Sequence, residues 1–240
     1  YGEDLYKKRM LPELLRELCK IDSNFYIRVL YCYPDRMTDE LIDTIASEPK
    51  VLKYIDLPLQ HASGKLLKRM NRHGDREVLT ELINKLRTKI PNLTIRTTFI
   101  TGFPGETEED FTELSEFVRD MRFDRMGCFA YSPEEDTPAA EFPDQIDDEV
   151  KKHRRDIIME QQAEIMAEKC ESMIGKTIKV LFEGFDRYAE CYYGRSSADA
   201  PEVDGKVFFT VEGKKPAVGD IIDVEITDYI DVDLIGEYKA

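Results

Sequence analysis

At 240 residues and 42% hydrophobic content the chain can build one large domain or two smaller ones around a real core. A net charge of −15 argues against a non-specific grip on nucleic acid or an anionic membrane and suits a basic partner. The five cysteines (Cys19, Cys32, Cys128, Cys170, Cys191) are odd in number and widely spaced, with no CxxC, CxxxCxxC or zinc knuckle, so no metal site is expected.

Residues 5–19 read as a helix, with Leu11, Leu14, Leu15 and Leu18 at helical spacing and Pro12 early enough for a first turn. Residues 25–33 read as a strand ended by Pro34, and Thr38 opens a helix to Ser47. Residues 54–59 form a second short strand broken at Pro58. A short helix covers 63–70, and Asp75 caps a longer one to Ile90 with Val78, Leu82, Ile83 and Leu86 on one face. Residues 94–101 are nearly all β-branched or aromatic and predict a strand. It breaks at Gly102-Phe103-Pro104-Gly105, and a helix with an acidic first turn follows from Glu106 to about Met121. Residues 123–131 are a fourth strand, followed by an acidic loop. Strands alternating with helices predict a parallel α/β sheet, here a partial (βα) barrel seen without its beginning. Residues 147–173 form one long polar helix, with His153 as solvated surface. Beyond Gly175 about five short alternating strands separated by glycine turns predict a small all-β barrel of the OB type. The expected organisation is therefore 1–143 barrel, 144–173 connecting helix and 174–240 small barrel.

The turn at 102–105 stands after a strand, where parallel α/β proteins bind ligands. Four carboxylates and no Lys or Arg fall between Gly102 and Phe111, which predicts a neutral or cationic ligand there instead of a phosphate. A plain helix start is the competing account. No apolar run has the length of a membrane span and no signal peptide is visible, so reduced thiols in a cytoplasmic protein are expected. Tyr1 is not a natural start, and a longer polypeptide is expected.

Three segments, YIDLPLQHASGKLLKRMNR (54–72), RTTFITGFPGETEEDF (96–111) and FAYSPEEDTPA (129–139), together resemble the later half of radical S-adenosylmethionine methylthiotransferases. The tail, with Gly194-Arg195 and APEVDGKVF (200–208), resembles that family's TRAM domain. LPLQHAS is similar to the branch that modifies an aspartate of small ribosomal subunit protein twelve; the transfer-RNA adenosine branch reads QSGS there. The resemblance implies S-adenosylmethionine and two 4Fe-4S clusters as cofactors, an electron donor protein, and addition of a methylthio group to the aspartate β-carbon. The family's cluster-binding cysteines belong before Tyr1, and none of the five present replaces them, because a cluster needs convergent thiolates. As written, the chain is expected to be inactive alone.

The residues carry their own reasoning. Gln60 follows a strand's C-terminal end and is read as a cofactor contact, with turn capping as its alternative; His61 is read as structural. Arg96 pairs either with the cofactor's carboxylate or with Asp56. Ile100, Gly102 and Phe103 resemble the family's adenine and ribose contacts, through close backbone approach at the glycine beside apolar walls. Phe129 and Tyr131 either flank the adenine or serve the core. Asp136 either faces substrate or lies in a solvated loop. In the small barrel, Tyr193 and Arg195 are candidate substrate contacts. Residues after Ile174 carry eight basic and fourteen acidic side chains, a net −6, which repels RNA and attracts a Lys/Arg-rich ribosomal protein. A non-catalytic acidic module that docks a basic protein is the reading of another class. An ordinary barrel lyase or isomerase lacks a convincing acid/base pair among three histidines.

Overall fold

Four parallel strands order the first part of the chain: β1 (Ile27–Val29), β2 (Val51–Asp56), β3 (Thr94–Thr101) and β4 (Arg125–Ala130), adjacent in that sequence. The computed structural model describes residues 1–239 and divides into two units, Tyr1–Gln162 and Ala163–Ala240. Ala240, the end of the expected small barrel, lies outside the described residues. Among the described residues seven α-helices accompany the strands: α1 (Glu3–Tyr6), α2 (Leu11–Cys19), α3 (Asp39–Ser47), α4 (Gly64–Arg69), α5 (Arg76–Lys89), α6 (Glu108–Met121) and α7 (Asp148–Glu171).

Strand β3 has two chemically distinct faces. Ile95, Thr97, Phe99 and Thr101 are buried, and Phe99 packs edge-on against Phe117 of α6 and Phe123 at ring distances of 6.2 and 5.6 Å. Arg96, Thr98 and Ile100 alternate onto the opposite face and stay partly open. Register places Arg96 between Asp56 and Arg125, and Ile100 beside Phe129. The helices thus cover one face of the sheet with apolar contacts, and the other face carries the polar and exposed residues.

Several boundaries differ from the sequence expectation. The first helix is two: α1 ends at Lys7, which is left-handed (φ 56°), and α2 begins at Leu11. A continuous helix over 5–19 puts Pro12 in its interior, where the missing N–H and the ring break it; as found, Pro12 sits in the first turn of α2. The first strand is cut short at Val29. Tyr31 turns left-handed (φ 57°), its N–H donating to Asp56 Oδ2 at 3.0 Å while the Cys32 N–H donates to the Asp56 carbonyl at 2.8 Å. Strand β2 starts at Val51, but its pairing survives Pro58: Leu57 N–H donates to Arg96 O and Gln60 N–H to Thr98 O, each at 2.8 Å. The proline, which has no N–H, falls between these bonds. Helix α6 begins at Glu108, because Thr107 is its N-cap and closes a capping box with Asp110.

In the second unit, strands β5 (Thr177–Asp186), β6 (Cys191–Ser196), β7 (Val207–Glu212), β8 (Ile221–Ile230) and β9 (Asp233–Lys239) close a barrel in the order β5-β6-β7-β9-β8. Val180, Phe182, Val207, Phe209, Val224 and Ile226 fill it, joined by Met166 and Cys170 from the end of α7. Closure of so small a barrel brings strands close: a Cβ on Gly194 would stand 2.2 Å from the Leu181 carbonyl oxygen. A parallel α/β sheet followed by a small all-β barrel is the fold class the sequence predicts. Among the described residues no helix is long and apolar enough to cross a membrane.

Phe117 is wholly buried at the junction of α6 and β3. Phe117→Ala is expected to destabilise the first unit by about 3–5 kcal/mol, measured by urea denaturation.

Candidate functional site

The C-terminal ends of β2 and β3 are organised by one carboxylate. Glu106 precedes α6 and its side chain is wholly buried. Oε1 faces His61 Nε2 at 3.0 Å, and Oε2 accepts the Gly102 N–H at 2.7 Å and Arg154 Nη1 of α7 at 2.7 Å. The Ser63 N–H donates to His61 Nδ1 at 3.0 Å, which leaves the imidazole proton on Nε2 to be given to Glu106. Arg154 also pairs with Glu108. Next to this network, burial alone raises the Asp110 carboxyl, but the Thr107 N–H, the Ser63 hydroxyl, Lys65 and the Thr107 hydroxyl outweigh it and hold it at about 2.

Three of the four carboxylates counted at the turn have cations of their own in the fold. Glu106 and Glu108 are answered by Arg154, and Asp110 by Lys65. The cations come from α7 and α4, too distant in sequence for the turn itself to reveal them. Gly102 is left-handed (φ 71°), and a Cβ there would stand 2.1 Å from Lys151 Cγ, so its bare side is filled by α7. The Thr101 hydroxyl donates to the Lys151 carbonyl at 3.1 Å on the same side.

Each predicted site residue has a definite place. Gln60 is left-handed (φ 72°), an unusual conformation for a non-glycine residue, and its carbonyl accepts the Ile100 N–H at 2.8 Å. It therefore stands on the same rim as Gly102. Arg96 Nη1 donates to the buried Asp56 Oδ1 at 3.0 Å. Ile100 and its register partner Phe129 line the open face, where Phe129 is 62% exposed. Phe103 is buried, with Tyr131 and Phe142 edge-on at 5.2 and 6.2 Å. Burial, then the Glu134 carboxylate, push the Tyr131 phenol up, and its hydroxyl is buried without a hydrogen-bond partner. Asp136 lies exposed in the loop after β4, left-handed at φ 63°. In the other unit, Tyr193 is half-buried under Lys206 Nζ at 4.8 Å, and Arg195 is held by Glu183 at 2.6 Å.

Sequence reasoning missed Glu106 and Arg154. The Thr107–Asp110 capping spacing was the available signal, since it places Glu106 outside the helix. Among the described residues no group of three or more His, Cys, Asp or Glu side chains is placed to hold a metal ion. Burial, with help from Asp56, pushes the Cys32 thiol up to about 11, and burial pushes Cys128 to about 12, so both are neutral thiols.

Residues 1–118 match the radical SAM superfamily and residues 174–238 the TRAM domain. Proteins described as ribosomal protein uS12 methylthiotransferase RimO are similar along nearly the whole chain. That of Lachnoclostridium phytofermentans is 50% identical over 98% of this chain and 53% of its own length. That of Caldanaerobacter subterraneus is 50% identical over 99% and 54%, and that of Geobacter sulfurreducens 48% over 99% and 53%. The chain spans about half the length of the curated relatives it matches.

Glu106→Gln is expected to cost about 3 kcal/mol, the low end for breaking a buried pair because Glu108 still meets Arg154; adding Arg154→Met should recover part of it in urea denaturation. Asp110 has a carboxyl below its unfolded range, so its contribution is complete above about pH 4 and is lost as pH falls towards about 2. Asp110→Asn should flatten stability against pH in that window, read from thermal melts at stepped pH.

Proposed function

We propose, from the likeness along nearly the whole chain to proteins described as uS12 methylthiotransferases, that this chain is the later part of a radical S-adenosylmethionine methylthiotransferase adding a methylthio group to the β-carbon of an aspartate in the small-subunit ribosomal protein uS12. In this reading residues 1–143 are barrel, 144–173 the connecting helix and 174–240 the TRAM domain. The observation that carries it is the open sheet face at the strand ends, backed by the whole-chain likeness to proteins named for uS12.

That face fits S-adenosylmethionine. Ile100 and the exposed Phe129 ring offer an apolar wall of adenine size. The main chain of Gln60, Gly102 and Phe103 forms the rim beside it. The Tyr131 hydroxyl is a buried polar atom that a bound group satisfies. Arg96, oriented by Asp56, supplies the positive charge a methionine carboxylate requires. When bound, S-adenosylmethionine supplies the 5′-deoxyadenosyl group that removes hydrogen from the substrate carbon. The cysteines of this chain do not fit the two 4Fe-4S clusters, because among the described residues no three such side chains converge, and in this reading the cluster ligands lie outside residues 1–240.

On the substrate side, Asp136, Tyr193 and Arg195 are the proposed contacts. A protein substrate is favoured over transfer RNA by the net −6 of residues 175–240 and by Glu183, which neutralises Arg195 in the barrel. The same acidic barrel supports the second reading, a module that docks a basic protein without chemistry of its own. An electron donor protein and a cytoplasmic location complete the proposal.

The test uses the longer protein, reconstituted with iron and sulfide, on uS12. One methylthio group gained by uS12 is the expected result by mass spectrometry; gain on transfer RNA alone moves the activity to the sister branch. Phe129→Ala is expected to weaken S-adenosylmethionine binding about tenfold by calorimetry, the scale of one lost aromatic contact.

A further inference from the structure

A cleft of about 290 Å³ opens beside the ends of β1 and β2, bounded by Tyr33, Asp35, Arg36, Pro58, Arg72 and His73. Its walls are fixed. The Cys32 N–H ties the segment before Tyr33 to the Asp56 carbonyl, and the Arg72 N–H donates to Leu67 O at 2.8 Å. The Arg72 guanidinium lies 4.5 Å over the Tyr33 ring. Arg36 is exposed and reaches Asp35 at 3.4 Å, and His73 is exposed beside it. Two arginines and a histidine thus line the cleft with a single carboxylate, Asp35, which Arg36 already meets, in a chain whose net charge is −15. Pro58 is two residues from Gln60, so the cleft flanks the rim on which the candidate site sits.

We propose that this cleft binds a carboxylate of the protein substrate that flanks the modified residue, an inference that rests on the protein-substrate reading above. A guanidinium pair is the usual reader of carboxylate or phosphate. A phosphate chain such as RNA is a polyanion, which a field of −15 repels. A basic protein is drawn in by the same field, and a single carboxylate on its surface is then the group the local cations select. Long-range charge brings the partner, and the cleft sets where along it the enzyme stops.

The test is a double-mutant cycle by calorimetry with the full chain and intact uS12, whose acidic residues are changed one at a time to the matching amides. One amide change is expected to weaken binding to the unaltered chain about tenfold, as for a charge-assisted bond in a partly exposed cleft. Arg36→Ala/Arg72→Ala should weaken unaltered uS12 to the same degree and lose sensitivity to that amide, and Arg36→Lys/Arg72→Lys should regain part of it. Should the alanine pair fail to fold by circular dichroism, Arg36→Gln/Arg72→Gln, which keeps the bulk, takes its place. The proposal is overturned if no amide change matters, or if the arginine variants still sense it while uS12 binds normally. Binding of a transfer-RNA anticodon stem-loop in place of uS12, lost in the arginine variants, overturns both this proposal and the protein-substrate reading.

Discussion

The site end of the first unit depends on a carboxylate that water never reaches. Burying a charge without partners costs several kcal/mol, so Glu106 is tolerable only because the His61 imidazole, the Gly102 amide and the Arg154 guanidinium all meet it. Each donor belongs to a different stretch: the loop after β2, the turn after β3 and the long helix. One group therefore sets three backbone segments in register, and the geometry of the rim follows from it. The neutral tautomer of His61 is fixed from the other side by the Ser63 amide, so the network holds a defined proton arrangement as well as a shape.

The two faces of β3 explain why a candidate site falls there. Its buried face is an aromatic cluster of Phe99, Phe117 and Phe123 that needs no ligand. Its other face carries Arg96, Thr98 and Ile100, and across the ladder Phe129 stands open. A strand with one apolar face packed and one mixed face uncovered is a surface prepared for something else to lie on. The polar groups are placed by strand register and the rim by Glu106, so the open face is built from ordered elements.

Much of this was legible in the residues. The strand–turn–helix at 94–121 announced itself by β-branched density, glycine and an acidic helix start, and the switch to short strands after Gly175 announced the barrel. What stayed hidden was long-range. Carboxylates within the turn looked unanswered because Arg154 lies 48 residues on from Glu106 and Lys65 lies 45 residues before Asp110. Local spacing cannot show that a helix backs onto one side of Gly102 through Lys151, where a Cβ would have stood. The first strand shrank for a similar reason: its continuation is captured by Asp56, a tertiary contact that overrides the β propensity of residues 30–33.

The twisted backbone at Gln60 restricts what evolution or a mutagenesis library can place there. Valine, isoleucine and threonine meet steric penalties in a left-handed residue, and glycine relieves the strain only by giving up the amide side chain. Asparagine tolerates the torsion but is one methylene shorter. Viable variants at this spot are thus filtered by backbone torsion before any chemistry is judged, so the position accepts few alphabets.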